Sequence, residues 1–129
     1  MKSKDRISQY MTPSPHTIGR DLPIQVAKEM MRKHRIRHLP VQDGGHLVGV
    51  LSDRDLRIAE SFRGPGELTV EEVMTSDPYA VDGEANLGEV VTQMAEHRYG
   101  CAIIRSKDGH VVGIFTDTDA LRVLAKTLN

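Results

Sequence analysis

The apolar positions of this chain fall into a short series of patterns, and the series runs through twice. Ile24, Ala27, Met30 and Met31, with His34 on the same face, recur near a 3.6-residue period and predict a helix, for which Asp21 is a plausible N-cap. Two strand-like runs follow, Leu39-Pro40-Val41 and Leu47 to Leu51, joined by a turn at Asp43-Gly44-Gly45. A last helix starts near Asp53. The same order then returns. Leu87, Val90, Val91 and Met94 mark a helix, Ala102-Ile103-Ile104 and Val111 to Phe115 mark strands around Lys107-Asp108-Gly109, and a final helix starts near Asp117. Extended stretches are expected around Thr17-Ile18 and Ala80-Val81, each after a short helix that leads into Met-Thr. In the second copy Thr69-x-x-Glu72 has the form of a capping box for that helix.

A fixed spacing connects the copies. Met11-Thr12 returns as Met74-Thr75, Pro15 as Pro78, and Met31-x-x-His34-Arg35 as Met94-x-x-His97-Arg98, all 63 residues on. After one inserted residue the spacing is 64, pairing Gly45-His46 with Gly109-His110 and Gly49 to Asp55 with Gly113 to Asp119. Residues 5–57 give 12 identities with their partners, against about three expected from average composition, so the chain is a tandem repeat. A break signal at Arg63-Gly64-Pro65-Gly66 divides it into residues 1–63 and 64–129. Each copy reads as β-α-β-β-α, an α+β unit. Sixty-odd residues bury little surface alone, so the copies are expected to pack on each other.

Composition narrows the possibilities. At 129 residues with 27% charged and 39% hydrophobic positions the chain reads as globular, and no apolar run approaches the roughly 18 residues of a membrane helix. The polar start, Met1-Lys2-Ser3-Lys4-Asp5-Arg6, lacks the apolar core of a secretory signal, and one cysteine makes no internal disulfide. A cytoplasmic protein is expected. The net charge of −1 argues against binding driven by phosphate neutralisation on nucleic acid. It joins a basic half to an acidic one: residues 1–64 hold 12 Lys/Arg and 7 Asp/Glu, and residues 65–129 hold 5 and 11.

Candidate chemistry concentrates at two places. Ser52-x-x-Asp55 and Thr116-x-x-Asp119 each pair a hydroxyl with a carboxylate at a helix start, which suits either an N-cap or a ligand rich in hydroxyls and phosphate. Arg32-Lys33-His34-Arg35-Ile36-Arg37-His38 is the densest basic run, and it reads either as a solvated helix end or as an anion contact. Arg54 and Arg57 face phosphate or water. His34-x-x-x-His38 has metal-pair spacing but crosses a helix–strand boundary with no third ligand nearby, so no metal site is expected. His46 and His110 are expected to be exposed, and Cys101 to be a small buried hydrophobe. Nucleophile-elbow, P-loop, His-Glu-x-x-His and dinucleotide fingerprints are absent. The carboxylates of Asp53/Asp55 and Asp117/Asp119 diverge two residues apart, so an enzyme is not expected.

The order Met-Thr-x-x-Pro, helix, apolar strand, Gly-φ-φ-[Ser/Thr]-x-x-Asp, helix resembles the CBS domain across nearly the whole chain. The resemblance implies two CBS repeats packed as a pseudo-twofold pair (a Bateman module), with clefts for AMP, ADP, ATP, NAD or another adenosyl compound as a regulatory ligand. It implies that Asp55 and Asp119 accept from ribose hydroxyls and that Ser52 and Thr116 donate to phosphate. It places Thr17-Ile18 and Ala80-Val81 over the adenine. Arg37 and His38, in Ile36-Arg37-His38-Leu39-Pro40, fall where basic residues reach phosphates, with Arg54 as a further candidate. The second copy has Tyr99-Gly100-Cys101-Ala102-Ile103 there, with neither a basic residue nor the proline, so unequal clefts are expected. The resulting expectation is a stand-alone ligand-sensing pair, a homodimer acting on an unidentified partner protein. Its alternative is a ligand-free structural or interaction module.

Overall fold

The computed structural model describes residues 4–63 and 68–129, so Gly64-Pro65-Gly66 of the break signal lies outside the described residues. The element order is a 3-10 turn (Ile7–Gln9), β1 (Thr12–Pro13), β2 (Ile18–Gly19), α1 (Ile24–His34), β3 (His38–Asp43), β4 (His46–Ser52) and α2 (Asp53–Arg63). There follow α3 (Val70–Val73), β5 (Thr75–Ser76), β6 (Ala80–Val81), α4 (Leu87–His97), β7 (Cys101–Arg105), β8 (Val111–Thr116) and α5 (Asp117–Leu128). The mixed α+β class and both repeats are as the pattern predicts.

The chain folds as two compact units, but not along the repeat boundary. One unit is His16–Pro78; the other is Tyr79–Asn129 with the segment that ends at Pro15. Each contains a four-stranded sheet, in the orders β2-β3-β4-β5 and β6-β7-β8-β1. The fourth strand is the Met-Thr segment of the other repeat, so β5 completes the first repeat's sheet and β1 completes the second's. The apolar pattern predicts three strands per copy. Two-residue strands with exposed side chains carry no periodic signal, which is why the exchange escapes it.

Contact with glycine fixes these fourth strands. A Cβ on Gly49 would stand 2.5 Å from Met74 Sδ and 2.8 Å from the Thr75 carbonyl oxygen; on Gly113 it would run into the Met11 side chain. The repeated Met-Thr and Gly-φ-φ motifs thus meet each other, and the missing side chain admits the neighbouring strand. A left-handed residue follows each fourth strand, Ser14 at φ 49° and Asp77 at φ 51°, again 63 residues apart.

The remaining local structure follows the turn and cap chemistry. Gly44 and Gly45 both have positive φ, as a two-residue hairpin of the primed type requires. The second hairpin is one residue longer. Ser106 N–H donates to the His110 carbonyl at 2.8 Å, and Gly109 takes φ 86°. α1 and α4 both end on a left-handed arginine, Arg35 and Arg98, whose N–H groups donate to the Met31 and Met94 carbonyls.

One expected cap is corrected. α1 begins at Ile24 with Pro23 as its N-cap, too late for Asp21, and no side chain closes it. The Leu68 carbonyl accepts from Ile24 N–H at 3.0 Å instead. In α4 the equivalent residue, Asn86, does cap by side chain, accepting from Glu89 N–H at 3.0 Å. The Thr69–Glu72 box on α3 forms as predicted.

One core gathers Ile18, Ile24, Ala27, Met31, Leu39, Val41, Leu51 and Leu56. The other gathers Ile7, Leu87, Val90, Met94, Ala102, Ile104 and Phe115. Full burial of a side chain of this size contributes about 1.5–3 kcal/mol. Leu39, Pro40 and Val41 are buried in succession, as are Ala102, Ile103 and Ile104, so both faces of β3 and β7 are withdrawn from water.

Candidate functional site

In each unit the register brings the candidate residues to one end of the sheet. His38 opposes Ser52 across β3 and β4, and Asp53 N–H donates to the Arg37 carbonyl at 2.8 Å. β2 runs parallel to β3, with Ile18 opposite Val41, so Thr17 precedes the sheet from that same end. The second unit repeats the plan: Cys101 opposes Thr116, Ala80 opposes Ile103, and Asp117 N–H donates to the Gly100 carbonyl at 3.0 Å. A strand that runs directly into a helix leaves the hydroxyl and carboxylate at this edge.

Both hydroxyl–carboxylate pairs are closed capping boxes. Asp55 N–H donates to Ser52 Oγ at 3.0 Å, and Ser52 N–H donates to Asp55 Oδ2 at 3.2 Å. Asp119 N–H donates to Thr116 Oγ1 at 3.3 Å, and Thr116 N–H donates to Asp119 Oδ2 at 2.9 Å. The pairs differ in what remains. The Thr116 hydroxyl lies 3.1 Å from Asp119 Oδ2 and donates to it, and Arg122 holds Asp119 Oδ1 at 3.3 Å. In the first box Asp55 Oδ1 and the Ser52 hydroxyl proton are uncommitted among the described residues. Asp55 is thus the better placed of the two to accept from a ligand diol, and Ser52 to donate to an anion.

The two sides of α2 face different spaces. Asp55 lines a concavity of about 410 Å³ with Ile58, Ala59, Phe62, Leu68, Glu72 and Val73. Arg37 lines another, of about 430 Å³, between α1 and α2. The phosphate-reaching role implied for Arg37 therefore places it apart from Asp55. Arg54 is exposed on α2 and in neither lining. Ala80 and Val81 are half-buried and line a concavity of about 480 Å³ at the Lys107-Asp108-Gly109 turn, which does not include Thr116 or Asp119.

Two of the expected contact residues are buried. Ile18, at 3% exposure, is part of the first core, and Pro40 is fully buried and opposite Val50 in β3. Their side chains pack inward, Ile18 into the first core and Pro40 within the buried run of β3. Thr17 and His38 are half-buried.

Aromatic neighbours at this end escape the motif reading. His16 stacks on His34 with ring centroids 3.7 Å apart, so the neighbour of His34 is His16. Desolvation lowers the His34 pKa, and the nearby His16 and Lys33 charges add to it. In the second unit Tyr79, at the position equivalent to His16, stacks on Tyr99, which stacks on His97. Burial raises the Tyr79 hydroxyl pKa, with smaller contributions from Tyr99 and Glu89. The 63-residue spacing of His16/Tyr79 and His34/His97 is the signal that would have found both stacks. Cys101 is buried as expected, and burial, with Asp117 nearby, pushes its thiol up to about 12. His46 and His110 are exposed as expected. No helix among the described residues is long and apolar enough to cross a membrane.

Comparison with known proteins agrees with this architecture. The CBS domain family model matches residues 7–61 and 70–126. A putative acetoin utilization protein (AcuB) from Vibrio cholerae superposes with a TM-score of 0.90 at 33% identity, over 98% of this chain and 96% of that one. The CBS domain pair of protein MJ0100, in complex with 5′-methylthioadenosine and S-adenosyl-L-methionine, superposes at 0.86 with 26% identity, over 93% of this chain and 99% of that one. Inosine-5′-monophosphate dehydrogenase of Korarchaeum cryptofilum is 30% identical over 92% of this chain. The chain spans about a quarter (24%) of that enzyme's length.

Proposed function

The chain belongs to the CBS domain family, and we propose that it is a non-catalytic regulatory module that binds an adenine nucleotide, AMP, ADP or ATP, at the sheet end of its repeats. The observation that carries this reading is the first capping box. Its closure leaves Asp55 Oδ1 free to accept from a ribose hydroxyl and Ser52 Oγ free to donate to a phosphate. The bound adenosyl compounds of the MJ0100 pair support the ligand class. The second box, with its carboxylate and hydroxyl already engaged, is the weaker of the two sites. NAD or another adenosyl compound presents the same ribose and adenine and is the first substitute to test.

The output is a shift between states of the module, of a size set by the ligand's differential affinity for them, passed to a partner protein in the cytoplasm. Leu121, Leu124 and Leu128 form an exposed apolar row on α5, and we read it as the contact between two copies in a homodimer. Calorimetry with AMP, ADP, ATP and NAD on the intact protein tests the ligand reading. Saturable heat that disappears in Asp55→Ala and persists in Asp119→Ala is expected; no heat and no thermal shift at millimolar ligand refutes it. A second reading draws on the same hydrogen bonds. Both boxes are complete without a ligand, as in a structural or interaction module, and under that reading Asp55→Ala lowers stability while no nucleotide changes it.

A further inference from the structure

The groove between α1 and α2 carries a charge arrangement that folding does not require. Lys28, Arg32 and Arg35 reach it from α1 and its cap, Arg37 from the approach to β3, and Arg57 from α2. Two carboxylates stand among them, each within ion-pair distance of one cation: Glu60 lies 3.2 Å from Lys28 and Asp53 lies 3.4 Å from Arg57. The side chains of Arg32, Arg35 and Arg37 have no hydrogen-bond or ion-pair partner among the described residues. Three arginines with unpaired side chains therefore line one concavity of about 430 Å³, together with the buried Met31 and Leu56.

The plain explanation, cations that complement the carbonyl end of α1, falls short. It does not cover Arg37, which lies beyond the helix, or Arg57, which belongs to another one. The second repeat supplies an internal control. α4 has the same length and the same left-handed arginine cap, yet Val91, Ala95, Gly100 and Leu121 stand where α1 and its surroundings have Lys28, Arg32, Arg37 and Arg57. The helix ends properly without the cluster. Holding like charges together is unfavourable unless an anion completes them, and guanidinium forks match phosphate oxygens two at a time.

The geometry points to the α1–α2 groove as a binding site for an oligophosphate anion, two or more linked phosphoryl groups held by Arg32, Arg35 and Arg37. The same chemistry is offered by the tail of a nucleoside polyphosphate and by free inorganic oligophosphate. The site is independent of the adenosine reading, since Asp55 lines the space on the other side of α2.

Titration calorimetry of the full chain with inorganic tripolyphosphate, at constant ionic strength, tests it. Saturable binding is expected, weakened about tenfold or more in Arg32→Gln/Arg37→Gln and unchanged in Asp55→Ala. Both arginines are exposed, and circular dichroism of the double variant confirms its fold; the single Arg32→Gln, expected to weaken binding by a smaller factor, covers a double variant that fails. ATP that displaces tripolyphosphate, where adenosine does not, identifies a nucleotide tail as the source. Tripolyphosphate that binds undisturbed by ATP identifies a free oligophosphate. Absence of saturable binding, or equal affinity in wild type and the arginine variants, overturns the proposal.

Discussion

The helix pair α1–α2 and its counterpart α4–α5 occupy equivalent places in the repeat and present opposite surfaces. Lys28, Arg32, Arg57 and Glu60 on the first pair correspond to Val91, Ala95, Leu121 and Leu124 on the second. Leu121 is 65% exposed and Leu124 51%, so the second pair shows water a row of apolar side chains where the first shows it charge. The scaffold beneath differs little: Gly49 and Gly113, Ser14 and Asp77, and Arg35 and Arg98 hold the same backbone roles in both units. Two copies of one fold thus vary most where side chains face water. There a substitution usually changes stability by less than about 0.5 kcal/mol, and the surface is free to take up separate tasks.

Four measurements test this contrast between the units, and the largest effects lie in the shared scaffold. Phe115 and Leu51 are equivalent and fully buried. Phe115→Ala is expected to cost about 3–5 kcal/mol by urea unfolding and Leu51→Ala somewhat less, since the cavity scales with the side chain removed. A cost below 1 kcal/mol at either position contradicts the core assignment.

Next come the glycines. Gly49→Ala drives a Cβ against the Thr75 carbonyl as well as Met74, whereas the nearest atoms to a Cβ on Gly113 all belong to the Met11 side chain, which has rotamers to retreat into. Losses of about 2–3 kcal/mol for the first and about 1 kcal/mol for the second are expected. Equal losses mean that β1 and β5 are held in the same way.

The thiol gives a pH test of the same scaffold. Burial pushes the Cys101 pKa from 9.0 to about 12 in the fold. The unfolded chain therefore releases this proton first. Its contribution to stability is fully present below about pH 9 and is lost as pH rises toward 12. Unfolding midpoints at pH 8 and pH 10.5 should fall further for the wild type than for Cys101→Ala. Parallel falls contradict the shift.

The smallest effect on stability belongs to the exposed row. Leu121→Arg/Leu124→Glu, which gives α5 the residues of α2, should leave monomer stability within about 0.5 kcal/mol. By sedimentation velocity it should also abolish self-association. A dimer that survives the exchange places the contact elsewhere.

Much of this is legible in the sequence. Periodicity located α1, α4 and the two long hairpins, because each commits one face to a core and repeats that commitment along the chain. The [Ser/Thr]-x-x-Asp boxes were readable for a related reason: an N-cap is set within four residues. The position of Arg37 was not readable. It follows Ile36 and precedes β3, and only the packing of α2 across the sheet decides that it shares a space with Arg57 and not with Asp55. Asp21 misled as an N-cap because a backbone carbonyl from Leu68, over forty residues away, closes α1 in place of a local side chain.

The repeat, the long helices and hairpins of each copy, the family and the Ser52, Thr69 and Thr116 boxes are all written in the sequence, because near neighbours or a fixed spacing express them. The tertiary structure alone decided which strand completes which sheet. β1 and β5 have two residues each, with too little local preference to choose a partner, and the choice falls to the bare Cα of a glycine in the other repeat that admits a methionine. It also decided that the cations of the basic half converge on one groove. Charge counted along a chain gives a balance; only the packing of helices on a sheet gives that charge a place.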